Sequence, residues 1–230
     1  EVAVGCPVLR SCTAMRTTAR STPVRDVIMR QKGMVLVAAG ALAVSTSVNY
    51  LLQYLPTFAI RQLHMPASTG FAATMMGGII LTCVTPLAGH VSDRIGRLKQ
   101  MVTVGIVLVV TVYPAFSYAV EHGSAVALFG LVIWLALLKS IYFGALPALM
   151  SEIFPAATRS TGMSIGYNIG VTVFGGFTPA IVTWLVSATA NRGAPGFYLM
   201  ATAMISLAAL ASVSRAKPAR MDSRLVAKRG

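Results

Sequence analysis

The sequence predicts an all-α integral membrane protein whose body is a bundle of six transmembrane helices. Three observations predict it. Hydrophobic residues make up 56% of the 230-residue chain and charged residues only 11%, with a mean hydropathy of +0.73. An ordinary soluble domain carries about 25% charged residues. Six apolar blocks recur along the chain, each reaching the roughly 20 residues that a bilayer-spanning helix needs. Lys and Arg gather between these blocks rather than inside them. The net charge of +13 therefore reads as membrane topology. A nucleic-acid partner, which would need a basic patch on a soluble fold, is not expected.

Residues 1–33 form a basic leader rich in Ser, Thr and Ala, read as a flexible, solvated end. The chain starts at Glu1 and no compact apolar signal core follows, so it reads as a fragment or a processed product. The first span covers about 34–60. Asn49 and Gln53, four apart, share one of its faces, and Tyr50 and Tyr54 an adjacent one. These amides serve either interhelical hydrogen bonding or substrate contact. Pro56 can bend the helix. The second span covers about 69–91 and the third about 101–120. The fourth, about 125–150, contains Lys139; the fifth covers about 162–188 and the sixth about 194–214. A basic tail at 215–230 follows and has the same solvated reading as the leader. Lipid offers no partner to backbone amides, so helices are the natural form of such blocks.

The Lys and Arg positions orient the bundle. One side receives the basic residues of the leader, Arg94, Arg97 and Lys99 after the second span, Arg159 after the fourth, and those of the tail. The other side receives only Arg61 and Arg192. Both termini are therefore expected to be cytoplasmic, with the lipid bilayer as the surrounding partner.

Lys139 is the anomaly. It stands about 16 Å from the nearer end of its span, too deep for its stem to reach water. A charge there costs at least about 2.5 kcal/mol, so it needs a partner or a wet cavity. The acids Glu1, Asp26, Asp93, Glu121, Glu152 and Asp222 all fall in loops, ends or tails. The counter-charge is thus a substrate carboxylate, an acid on another six-helix half, or water. Tyr142, three residues on, can share the face of Lys139. Tyr167 and Asn168 lie one turn inside the fifth span. The candidate substrate residues are Lys139, Tyr142, Asn49, Gln53, Tyr50 and Asn168.

Two constellations lead away from enzymatic chemistry. Cys6, Cys12 and Cys83, with His64, His90 and His122, show no metal-type spacing. The segment 162–166, GMSIG, matches G-x-S-x-G but runs on into an apolar helix, without the strand-to-helix turn a nucleophile elbow needs. Its better reading is packing. Gly162, Gly166 and Gly170 recur every four residues, and Gly175, Gly176 and Pro179 permit a bend or a broken hydrogen-bond ladder. No enzyme and no cofactor are expected.

Residues 89–99 read GHVSDRIGRLK. Gly89 and Gly96 allow tight helix ends and close backbone approach. Asp93 can accept hydrogen bonds at a helix N-terminus, or pair with Arg94 and Arg97. On charge alone the loop is a topology-fixing turn. Gly89, Asp93, Arg94, Gly96 and Arg97 together resemble the G-x-x-x-D-R-x-G-R signature of the major facilitator superfamily. Residues 152–179 are similar to its metabolite:proton symporter branch, of citrate and carboxylate type. The match is carried by Glu152, Phe154, Pro155, Arg159 and Gly162, then Tyr167, Asn168, Phe174, Gly175, Gly176 and Pro179. The resemblance implies the C-terminal six-helix half of a twelve-span fold, with 1–33 as the remains of a central loop. It implies a cytoplasmic gate built on Asp93 and its arginines, with Glu152 and Arg159 in the same motif set. It also implies symport of a small organic anion by alternating access in a bacterial inner membrane, driven by the proton gradient. A six-span half needs an N-terminal partner half or a second chain to enclose a site. The alternatives are a facilitator for a sugar, osmolyte or drug, and a non-transporting or modulatory half.

Overall fold

The computed structural model describes Val27, residues 31–189, Asn191 and residues 193–227, with side chains through Ser214. The basic leader, apart from Val27 and its last residues, lies outside the described residues, as do Arg192 and the side chains of the tail. The described chain is helical, in the order α1 (Lys32–Gln62), α2 (Ala67–Ile95), α3 (Arg97–His122), α4 (Ala125–Ile153), α5 (Arg159–Gly170), a π-helical turn (Val171–Gly176), α6 (Thr178–Thr189) and α7 (Ala194–Ala227). Six helical units are long and apolar enough to cross a membrane, the fifth being α5, the π turn and α6 taken together. The expected six-span bundle is thus present.

Helix ends correct the hydropathy boundaries. Each of the first four helices runs past its apolar block, so Asp93, Glu121 and Glu152 lie in the terminal turns of α2, α3 and α4. Hydropathy stops at the first charge, whereas the helix stops where the backbone must turn. Gly96, at φ 102°, supplies the turn between α2 and α3, and Gly123, at φ 51°, ends α3. Ser124 begins α4 by accepting a 3.2 Å hydrogen bond from the Ala127 amide. Phe154 leaves α4 in extended geometry because Pro155 follows it. α7 continues as helix through Ala227, into the basic tail.

Packing ranks the helices. α1 is the most buried and touches α2, α4, α5, α6 and α7, which places it at the heart of the bundle. α2 lies at the edge, packed chiefly on α4, and exposes Phe71, Met75, Ile79, Leu87, Val91 and Ile95. Such a face suits hydrocarbon or another helical body, not water. The α2–α4 contact is backbone to backbone. A Cβ on Gly144 would lie 2.7 Å from the Gly89 nitrogen and 2.9 Å from the Thr85 carbonyl oxygen. Gly89 therefore serves close approach in mid-helix and not a helix end. At the same junction, Gln100 of α3 donates from Nε2 to the carbonyls of Ala88 (3.2 Å) and Ile141 (2.8 Å), tying three helices together.

Candidate functional site

Lys139 stands in mid-α4, 9% exposed, and donates from Nζ to the side-chain oxygen Oδ1 of Asn49 on α1. Around this pair is a cavity of about 250 Å³ lined by nine residues. Helical spacing explains the lining. Leu42, Ser45, Thr46, Asn49 and Tyr50 recur at three- and four-residue steps on one stripe of α1. Lys139 and Phe143 stand four apart on α4, and Tyr167 and Val171 four apart across the end of α5. A second cavity of about 280 Å³ shares Leu42, Phe143 and Tyr167. Its wall includes Leu146, Met150, Met163 and Asn168, so it extends toward the end of the bundle that carries Glu152.

The cationic site thus has a neutral first partner. Lysine offers three donors and Asn49 takes one, which leaves donors for an incoming acceptor. The lining contains no carboxylate. Thr46 is turned onto its own helix, donating to the carbonyls of Leu42 (3.0 Å) and Ala43 (3.1 Å).

The structure does not bring all the expected substrate residues together. Asn49, Tyr50 and Lys139 meet in one cavity. Tyr142 does not join them: it is 2% exposed and turned into the core against α1, where its hydroxyl donates 2.7 Å to the Ala41 carbonyl. Phe143, which the sequence reading passed over, takes the place beside Lys139. Gln53 is exposed and lines neither cavity, because α1 turns it outward one turn beyond Asn49. Asn168 lines only the second cavity and donates 2.8 Å to the Ser164 carbonyl of its own helix.

In the charged cluster Asp93 pairs with Arg97 and not with Arg94. Asp93 is in the last turn of α2, not at a helix N-terminus, and the N-cap position of α3 is Gly96 without a side-chain cap. An anion there opposes the helix dipole, and Arg97 offsets it. The Arg97 guanidinium reaches Asp93 at 2.9 Å with one nitrogen and Glu152, at the end of α4, at 2.6 Å with another. Arg94 and Arg159 are exposed and make no ion pair among the described residues. Among the described residues, Arg97 therefore supplies the ion pairs that join the α2–α3 turn to α4.

The packing glycines also divide. Gly166 and Gly170 face α1, where an added Cβ would meet the Cβ atoms of Ala38 at 3.0 Å and Leu42 at 2.9 Å. Gly162 instead leaves room for the Phe154 ring, and Gly176 has nothing within 4 Å. Pro179 stands in the first turn of α6, just past the π turn. Among the described residues, no group of three His, Cys, Asp or Glu side chains could hold a metal ion.

Six helices long and apolar enough to cross a membrane, with a polar, cationic cavity between α1, α4 and the fifth span, make the architecture of a multi-pass membrane protein. The family model of the Major Facilitator Superfamily matches residues 82–230, and the chain belongs to that superfamily. Among its curated relatives is the citrate-proton symporter of Salmonella typhi, 30% identical over 179 residues that cover 76% of this chain and 41% of the relative. The citrate-proton symporter of Klebsiella pneumoniae is 32% identical over 177 residues, covering 76% and 40%. The proline/betaine transporter of Escherichia coli K12 is 30% identical over 168 residues, covering 72% and 33%. The chain therefore spans about two fifths of the length of the citrate-proton symporters it matches. These relatives are transporters and not enzymes. No solved structure matches the chain significantly.

Proposed function

We propose that the intact transporter carries a small organic anion, citrate or a related carboxylate, together with protons by alternating access, and that this chain supplies the cationic wall of its site. The observation behind this reading is Lys139, an ammonium deep in a bundle whose cavity lining offers it an amide and hydroxyls but no carboxylate. A carboxylate entering the cavity would meet the unused Lys139 donors and repay the cost of a charge at that depth. The citrate-proton symporters among the relatives support the anion class and the proton coupling. The cavity is walled by α1, α4 and the fifth span. A second six-helix body, an N-terminal half or another chain, would close it from the remaining side. Arg97, Asp93 and Glu152 then act as the gate, tying the α2–α3 turn to α4 in one state and releasing it in the other. The Lys and Arg bias supports cytoplasmic termini in a bacterial inner membrane.

Uptake of labelled citrate into proteoliposomes, with and without an inward proton gradient, tests the reading. Wild-type uptake should need the gradient, and Lys139→Ala should lower it at least about tenfold, as truncating one partner of a buried charge pair does. Citrate uptake by Lys139→Ala at wild-type affinity would rule out the counter-ion role.

A second reading has one specific observation in its favour. Two tyrosines, Tyr50 and Tyr167, stand in the same cavity as Lys139. A zwitterion such as betaine could place its carboxylate on Lys139 and its quaternary ammonium against a tyrosine face. The proline/betaine relative fits this arrangement. Direct uptake separates the two: labelled glycine betaine should stay outside the proteoliposomes under the first reading and enter them under the second.

A further inference from the structure

The two adjacent glycines of the π turn are not equivalent. A Cβ on Gly175 would lie 2.5 Å from Cε2 and 2.7 Å from Cδ2 of Tyr50, whereas a Cβ on Gly176 would meet nothing within 4 Å. Gly175 is buried and Gly176 exposed. The ring that occupies the space beside Gly175 is the same ring that forms part of the Lys139 cavity wall.

The backbone at this point is held in place. A π turn widens the helical ring and leaves carbonyls without their usual intrahelical partner. Here the Phe174 carbonyl accepts from three hydroxyls: Ser47 of α1 at 3.1 Å, Thr178 of α6 at 2.5 Å and Tyr198 of α7 at 2.9 Å. Ser47 and Thr178 are fully buried, so these bonds are shielded from competing solvent. With Phe174 fixed from three helices, the neighbouring Gly175 cannot retreat from α1. Any side chain added at Gly175 must therefore move the Tyr50 ring, and that ring can move only by changing the cavity.

We propose that Gly175 is a positioning residue for Tyr50: its missing side chain lets the phenol ring lie along the wall of the Lys139 cavity and so sets the width available to the solute. The link to solute selection rests on the reading that this cavity holds the transported solute. Bending of the fifth span at its π turn would be transmitted to the cavity through the same contact.

Two readouts on the full chain in lipid nanodiscs test this. A 3-fluorotyrosine placed at position 50 reports the ring by fluorine NMR, with no dependence on any ligand. Equilibrium binding of labelled citrate reports the cavity. Gly175→Ala should shift the fluorine resonance and weaken citrate binding about tenfold, the scale of an overpacked contact. Gly176→Ala carries the same change in helix propensity and should alter neither. In a Tyr50→Ala background, Gly175→Ala should have no further effect on binding, because the overlap partner is gone. If Gly175→Ala does not fold, the double variant should fold, and its failure to do so would overturn the proposal. An unmoved resonance in folded Gly175→Ala would also overturn it, as would a moved resonance with unchanged citrate affinity. A moved resonance in a protein whose wild type binds no citrate would uphold the positioning role and reject the anion reading instead.

Discussion

Lys139 keeps an ammonium in the interior of a bundle, hydrogen-bonded to the amide oxygen of Asn49, and its neighbours Tyr142 and Phe143 show how sharply position decides role. On an α-helix, a residue three positions on lies about 60° to one side of its reference and a residue four positions on about 40° to the other. Both are neighbours by spacing, so the sequence could not choose between them. Packing chose: Phe143 joins Lys139 in the cavity, and Tyr142 turns to Ala41 and Ser206 in the core. Asn49 was visible as an intramembrane amide, but its pairing with Lys139 needed α1 and α4 to be placed side by side. Two outcomes follow at this scale. Lys139→Met removes a poorly compensated charge, so its unfolding midpoint in detergent should rise or stay level while citrate binding is lost. Tyr142→Phe should lower stability by about 1 kcal/mol, measured by chemical unfolding in mixed micelles, and leave citrate affinity unchanged.

The elements were legible where composition alone dictates them. Gly175, Gly176 and Pro179 announced a weakened fifth span, and the structure breaks it there with a π turn. The contact between α2 and α4 was not legible, because Gly144 matters through the α2 backbone at Thr85, Ala88 and Gly89 that faces it. Gly144→Ala should therefore destabilise the bundle by about 1–3 kcal/mol in the same unfolding assay, since backbone atoms cannot yield as side chains do. Gly130→Ala, where nothing lies within 4 Å, should not. The Arg97 cluster sits at exposed helix ends, with side-chain exposures of 31% for Arg97 and 38% for Glu152. Glu152→Gln should thus change stability by less than about 1 kcal/mol. If the pair is a gate, the same variant should still alter the uptake rate in proteoliposomes; a rate equal to wild type would reduce it to a surface ion pair.

At the scale of the whole molecule, six spans could be read from length and hydropathy because a bilayer demands about 20 apolar residues per crossing. Their arrangement could not. Lipid-facing and core-facing residues are equally apolar, so hydropathy does not tell the central α1 from the peripheral α2. What distinguishes α1 is the company of small residues, Ala38, Gly40, Ala41 and Ser47 among them, that lets neighbouring helices approach it. The one-sided cavity and the apolar face of α2 are the features of a body that works against another. The measurement that tests the central claim most directly is equilibrium binding of labelled citrate to the purified protein in nanodiscs, wild type beside Lys139→Ala. Saturable binding by the wild type and at least about a tenfold loss in the variant is the predicted result. Equal affinity in the two proteins would contradict the assignment of Lys139 as the anion's counter-charge.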